Sequence, residues 1–295
     1  MKKWKLLILA LIPAVMLGGC AGSSQADIAA TTLPVYTLTQ TLCEGTGLTV
    51  TRLVTEEVSC LHDYSLNVKQ VKAAEAAEVI VISGAGLEEF IADILTEDKL
   101  IDASEGIQLI CPEEDHDHDH EHEEEHGHTH EQDPHIWLDP ENAMIMAQNI
   151  CRELSARYPD YAAVFEANLA PLLEELKQLQ NYGEQTLSSL SCRELITFHD
   201  GFAYFAQAFD LTILEAVEEE SGSEASAQEL IHLIEITREH ELCAIFTEKN
   251  GSASAAAVNS RETGASVFSL DMAMSGEDYF EAMYHNIDTV KEALG

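Results

Sequence analysis

Two groups of histidines could do chemistry. The first is a continuous stretch, Glu113 to Asp133 (EEDHDHDHEHEEEHGHTHEQD), which carries 11 of the 53 acidic residues and 7 of the 13 histidines. His116, His118, His120 and His122, and then His126, His128 and His130, recur at alternate positions. With no aliphatic residue to bury, the stretch is expected to be a mobile loop. Neutral imidazole favours Zn, Cu and Ni, whereas Mg and Ca want oxygen cages, so the loop should collect several metal ions modestly. A solvated polyampholyte loop is the plainer reading; a purification tag would be pure His at a terminus.

The second group is dispersed: His62, His135, His199 and Asp271. Each alone could be a hydrogen-bonded structural residue. Together, two come from each half of the chain and all are expected just past strands, where parallel α/β architecture places its chemistry. A cleft between two halves would gather them, and three imidazoles with one carboxylate satisfy tetrahedral Zn²⁺. A ligating imidazole must be neutral, so capture should weaken below about pH 6. Asp133, Asp139 and Asp200 stand beside these histidines and could fix their tautomers. His232, His240 and His285 fall on helical patterns and are expected to face solvent.

The elements that must position these residues are legible as a weak internal repeat. Leu48–Val54 aligns with Leu211–Val217, each a run of branched residues before a polar, acidic turn. Helical patterns follow in both halves (Val68, Val71, Lys72, Glu75; Leu230, Leu233, Ile234, Thr237), then short apolar strands at Val79–Ile82 and Cys243–Phe246. Opening strands are expected at Ala30–Val35 and Glu194–Phe198, and a closing one at Ala265–Leu270. Strands alternating with helices imply parallel sheets, so the fold class is α/β with two lobes. Between them Pro140 opens a helix through Arg157. Beyond Pro159, Leu169, Leu172, Leu173, Leu176 and Leu179 sit at helical spacing. Capped by Asp160, a helix to Leu190 would be about 45 Å long, a rigid rod with Gly183 as its weak spot.

Length and charge narrow the partners. The 295 residues suit two ordinary domains, and a net charge of −38 argues against sequence-independent nucleic-acid binding. Lys2, Lys3 and Lys5 precede an apolar run ending Leu17-Gly18-Gly19-Cys20, the layout of a secretory signal. The Cys after Leu-Gly-Gly resembles the bacterial lipobox, in which it receives a diacylglycerol. The six other cysteines are scattered without a CxxC pair. Most lie beside apolar runs, as in Leu242-Cys243-Ala244-Ile245, and are expected to be small buried hydrophobes.

The sequence also resembles the zinc and manganese substrate-binding lipoproteins of bacterial ABC importers, the family that includes the high-affinity zinc uptake binding proteins. The resemblance rests on Leu61-His62-Asp63-Tyr64, Val79–Gly84, the acidic histidine-rich loop and DPHIWLDP from Asp133. It continues through YPDYAAVFEANL from Tyr158, FHDGFAYFAQAF from Phe198, FTE from Phe246 and LDMAMSG from Leu270. It implies two lobes, each a parallel sheet flanked by helices, joined by one long rigid backbone helix, with Zn²⁺ as transported ligand between them. By position, His62, His135, His199 and Asp271 correspond to the family's ligands. The implied parts are a signal peptide (1–19), a lipidated tether (20–27), an N-terminal lobe (28–157), a linking helix (158–190) and a C-terminal lobe (191–295).

The same resemblance implies a binding protein and not an enzyme. It would be an extracytoplasmic monomer anchored to the cell membrane through Cys20, serving a permease and its cytoplasmic ATPase. Three departures from the family pattern matter. The usual Pro-His turn is replaced by Cys60-Leu61-His62, which makes Cys60 an alternative ligand. The proline after the glutamate is missing at Glu248-Lys249, so Glu248 is a rival fourth ligand. Asp271 precedes Met272-Ala273-Met274 where proline and glycine are common. Manganese members tend to use two carboxylates, so a third imidazole at His199 favours Zn²⁺. A manganese-specific protein, a surface metal buffer or adhesin, and a zinc hydrolase are the alternatives; HExxH, GxSxG and P-loop patterns are absent.

Overall fold

The computed structural model describes residues 26–58, 61, 64–110, 132–217 and 225–295. Cys20, Cys60, His62 and the seven histidines from His116 to His130 lie outside them. In the first lobe, β1 (Ile28–Ala30), α1 (Leu33–Cys43), β2 (Val50–Arg52), α2 (Val68–Ala76), β3 (Val79–Ile82) and β4 (Leu100–Asp102) form a parallel sheet in the order β2-β1-β3-β4. Two helices follow, α3 (Pro140–Arg157) and α4 (Ala162–Leu187). The second lobe contains β5 (Glu194–Thr197), α5 (Ala203–Ala208), β6 (Thr212–Ala216), α6 (Ala227–Glu239), β7 (Ala244–Glu248), α7 (Ser254–Thr263), β8 (Ser266–Leu270) and α8 (Tyr279–Leu294). Its sheet is also parallel, in the order β6-β5-β7-β8. The weak repeat is therefore one strand plan used twice.

Local chemistry explains most boundaries. Asn67 and Gln70 form a capping box that starts α2, and Ser226 and Glu229 do the same for α6. Asp139 accepts from Glu141 N in front of Pro140, so α3 begins there. The opening strand is shorter than the apolar run suggests. Leu33–Val35 belong to α1, because Pro34 suits a first helical turn and has no N–H for a sheet. Pro159–Tyr161 form a 3₁₀ turn, and α4 starts at Ala162 without a side-chain cap. The rod is thus 26 residues, about 39 Å, and ends at Leu187. Cys43 and Cys151 are buried as small hydrophobes, but Cys243 is exposed, standing just ahead of β7.

One apolar cluster runs through both lobes. It takes in Ile28, Leu38 and Val81 from the first, Ile150, Leu172 and Leu176 from α3 and α4, and Phe246, Leu270 and Ile287 from the second. Smaller clusters lie under the outer faces of the two sheets, one around Ile80 and Ile91, the other around Ile196 and Leu233. Helix α4 packs on α1 and α3 on one side and on α8 on the other. Asn168 donates to Leu42 O and Glu44 O, both 2.9 Å, closing the end of α1 against it. Among the described residues no helix is long and apolar enough to cross a membrane.

Gly183 is not a weak spot but a requirement. A Cβ there would lie 2.1 Å from Phe209 Cε1, inside van der Waals contact. Replacing Gly by Ala in a helix gains about 1 kcal/mol of propensity, whereas overpacking costs about 1–3 kcal/mol. We predict that G183A loses up to about 2 kcal/mol in urea denaturation; a gain in stability would mean that Phe209 yields freely.

The edge of the first sheet is closed by a buried carboxylate. Glu88 accepts from Thr31 Oγ1 (2.8 Å), Ser83 N (2.7 Å) and Gly84 N (3.0 Å). Gly84 has φ +83°, and a Cβ there would collide with Asp102 Oδ1, so only glycine presents this N–H. Burial pushes the Glu88 carboxyl up to about 7, against the three donors. The folded chain then holds this proton more tightly than the unfolded one. Stability falls as pH rises from 4.5, the ordinary value, towards 7, and falls no further above it. The native chain should lose stability relative to E88Q between pH 5 and 8, by on the order of 3 kcal/mol in urea titrations. A pH-independent difference would contradict the raised value.

Candidate metal centre

In the second lobe the order of the strands assembles the site. His199 follows β5, Glu248 ends β7 and Asp271 follows β8. These strands are neighbours, spaced about 4.8 Å apart, so three chemistry-bearing residues line the carboxyl edge of one sheet. Phe198 N bonds to Phe246 O at 2.8 Å and Lys249 N to Leu270 O at 2.8 Å, which carries the pairing up to the site residues. His199 Nδ1 lies 3.7 Å from Glu248 Oε2, with the Glu248 side chain only 3% exposed.

His135 comes from the first lobe, at the N-cap of a 3₁₀ turn (Ile136–Leu138) leading into α3. It is 2% exposed. Asp133 Oδ1 accepts both His135 N (2.9 Å) and the Nδ1 side of the ring (2.8 Å). An ionised carboxylate can only accept, so Nδ1 carries the hydrogen and the Nε2 lone pair is left for a ligand. The rings of His135 and His199 meet edge to face, 5.5 Å between centroids and 79° between planes. Gly201 lies against both. A Cβ there would be 2.8 Å from His199 Cδ2, 3.0 Å from His135 Cε1 and 2.7 Å from Met272 Cε. The Gly after His199-Asp200 is what lets two imidazoles from different parts of the chain approach.

Asp271 is held differently. Its Oδ1 accepts from Ala273 N at 2.9 Å, and its Oδ2 is paired with Lys249 Nζ at 2.9 Å. That carboxylate raises the Lys249 ammonium above its usual range, first through the hydrogen bond and then through its charge. Asn286 fixes the backbone by bonding Asp271 N and O, both at 2.7 Å. Ala273 has φ +52°, a left-handed conformation costing about 1–2 kcal/mol for a residue with a Cβ. The Met272-Ala273-Met274 departure is therefore a strained turn tied down by the aspartate it follows.

Across the lobes, Trp137 Nε1 donates to Met272 O (2.8 Å) and Tyr279 OH donates to Trp137 O (2.7 Å), both buried. Leu33 N bonds to Met274 O at 3.0 Å and an Arg52 guanidinium nitrogen to Gly276 O at 2.7 Å. At the neck of the histidine-rich segment, Asp133 N bonds to Ile110 O at 3.0 Å. Tyr204 OH, from the second lobe, accepts from Ile110 N (2.9 Å) and donates to Asp133 O (3.1 Å).

Of the residues expected at the site, His135 and His199 are brought together, with Asp133 and Glu248 behind them, while Asp271 is engaged by Lys249. His62 lies outside the described residues. Among the described residues, no three His, Cys, Asp or Glu side chains are grouped closely enough to hold a metal ion. Asp139 caps α3, and Asp200 is exposed. His232, His240 and His285 are exposed, the first two beside Glu215 and Glu194. Sequence reasoning missed Gly201 and Lys249. The small residue two positions past His199 and the lysine directly after Glu248 were the available signals.

Residues 28–293 match the protein family described as zinc-uptake complex component A, periplasmic (ZnuA). The chain is similar to the zinc-binding lipoprotein AdcA of Streptococcus pneumoniae (strain ATCC BAA-255 / R6), 31% identical over 309 residues, covering 99% of this chain and 61% of that protein. It thus spans about three fifths of that relative's length. Among solved structures it is similar to the crystal structure of ZnuA, with a TM-score of 0.77 and 30% identity, covering 92% of this chain and 100% of the other. It is also similar to a zinc-bound deletion mutant of ZnuA, with a TM-score of 0.76 and 30% identity, covering 92% of this chain and 98% of the other.

The packing at Gly201 gives a direct test. G201A should weaken Zn²⁺ binding about tenfold or more by separating the two imidazoles, since loss of ligand support typically costs 10–100-fold. Circular dichroism should leave the fold unchanged. Unaltered affinity in isothermal titration would show that the two rings need not approach.

Proposed function

Because the chain belongs to the family of periplasmic zinc-uptake component A, a family of metal-binding transport components and not of enzymes, we propose that it captures Zn²⁺ between its lobes and hands it to an ABC permease. The observation that carries this reading is the His135–His199 pair, with ring centroids 5.5 Å apart. One ring comes from the first lobe, just ahead of α3, and the other from the second lobe. On this reading His62, His135 and His199 supply three nitrogens, and Asp271 or Glu248 supplies the oxygen. Zn–N bonds of about 2.0–2.1 Å complete a tetrahedral site. Asp133 holds His135 in the tautomer a metal needs, and where Asp271 is the ligand, Glu248 supports His199 from 3.7 Å.

Zinc is preferred to manganese because a site of three imidazoles and one carboxylate is soft for Mn²⁺. The zinc-bound ZnuA relative supports the same choice. On this reading the chain comprises a signal peptide (1–19), a tether lipidated at Cys20, two lobes (28–157 and 191–295) and the helix between them (158–190), and acts as a monomer at the outer face of the cell membrane. Its partner is the permease with its cytoplasmic ATPase. The histidine-rich stretch is an auxiliary collector: its ends are pinned at Ile110 and Asp133, beside His135.

Two variants separate the cleft from the collector. Deleting residues 113–132 should leave one tight Zn²⁺ per chain and abolish the weaker ones, measured by calorimetry with metal analysis. Replacing His135 and His199 by Ala should remove the tight ion and keep the weaker ones. If the tight ion disappears with the deletion, the cleft is not the capture site. Mn²⁺ should bind more weakly by at least tenfold, in keeping with the Irving–Williams order.

A further inference from the structure

Lys249 and Asp271 make an ion pair inside the proposed centre that zinc capture alone does not call for. Asp271 is rigid: its backbone N and O are both bound by Asn286, its Oδ1 by Ala273 N, and its side chain is 12% exposed. The Lys249 side chain is 54% exposed and reaches Asp271 Oδ2 through Nζ at 2.9 Å. A fixed, nearly buried carboxylate is therefore covered by the ammonium of a long, half-exposed side chain. The adjoining residue, Glu248, lies 3.7 Å from His199, and both residues stand at the carboxyl edge of the second sheet, where Lys249 follows β7.

An ammonium and a divalent ion ask for the same thing from a carboxylate, a lone pair and a negative charge, and Oδ2 cannot serve both at bonding distance. We propose that Lys249 is a tethered counter-cation that occupies Asp271 in the metal-free protein and has to leave when the metal binds. This rests on the reading of Asp271 as the oxygen ligand. The lysine neutralises a carboxylate that would otherwise face the cleft uncompensated. It also charges the cost of breaking the ion pair, and of keeping a positive group nearby, against every bound divalent ion. It thereby lowers affinity and supplies a cation ready to take Asp271 back during release. Of the two partners the lysine is the one that moves, since Asp271 is fixed at three points.

The test compares the full chain with K249Q, K249R, D271N and K249Q/D271N. Each is titrated with Zn²⁺ against a chromophoric chelator, and release is followed by chelator chase. Thermal midpoints of the metal-free proteins are recorded alongside. K249Q should bind Zn²⁺ about tenfold more tightly and release it more slowly, because a unit positive charge within a few ångströms has been removed. Its metal-free midpoint should fall as the ion pair is lost. K249R keeps the charge and should bind as the native chain does. D271N should weaken binding, and adding K249Q to it should bring no gain. Unchanged or weaker binding in K249Q, with D271N still weakened, would overturn the proposal and leave Lys249 a structural partner. If D271N binds Zn²⁺ normally, the assignment of Asp271 as ligand has failed, and the proposal falls for that separate reason.

Discussion

The arrangement depends on a buried hydrogen bond between the lobes. Trp137 Nε1 donates to Met272 O, and Tyr279 OH returns a bond to Trp137 O. Trp137 sits two residues past His135, and Met272 directly follows Asp271. A donor buried without its acceptor costs about 1–3 kcal/mol, so the two segments cannot drift apart without exposing that cost. Two candidate ligands far apart in sequence are thereby held in register by neighbours rather than by each other. The apolar cluster that runs from β1 through α3 and α4 to α8 works in the same sense. Wide hinge opening would have to split a common core.

Within that frame the centre is built from short-range rules. Neighbouring parallel strands put His199, Glu248 and the Asp271 segment along one edge. Carboxylates then act on the imidazoles from behind: Asp133 fixes the His135 tautomer, and Glu248 lies against His199. Gly201 supplies the space. A carrier has to hold its cargo and also give it up, which sets it apart from a structural zinc site. On the proposed reading, the left-handed turn at Ala273 and the ammonium over Asp271 suit exchange rather than permanence.

Much of the fold was legible in the sequence because it rests on local patterning. Branched runs at Val79–Ile82 and Glu194–Phe198, and the Asp139-Pro140 start of α3, placed their elements within a residue or two. The weak internal repeat anticipated two lobes, and the strand orders agree. Failures came where a single residue within a run, or a distant contact, decides. The run from Ala30 to Val35 reads as a strand until Pro34 turns it into a helix. β4 is only three residues, and nothing local marks it. Gly183 reads as a helix weakness because Phe209, which requires it, is far along the chain. At the site, placement at the ends of elements singled out His135 and His199 as candidates, and the fold sets their rings side by side. The Lys249–Asp271 pair joins residues on adjacent strands whose register no sequence pattern reports.

The central claim is that a transition metal binds between His135 and His199 rather than on the histidine-rich stretch alone. A crystal of the full chain loaded with one equivalent of Zn²⁺, with anomalous data collected on both sides of the zinc edge, tests it most directly. The account predicts one dominant anomalous peak about 2.0–2.1 Å from a ring nitrogen of each histidine, with a carboxylate oxygen in the same shell and Lys249 swung away from Asp271. A dominant peak elsewhere, with the two rings still packed edge to face and Lys249 still on Asp271, would contradict it.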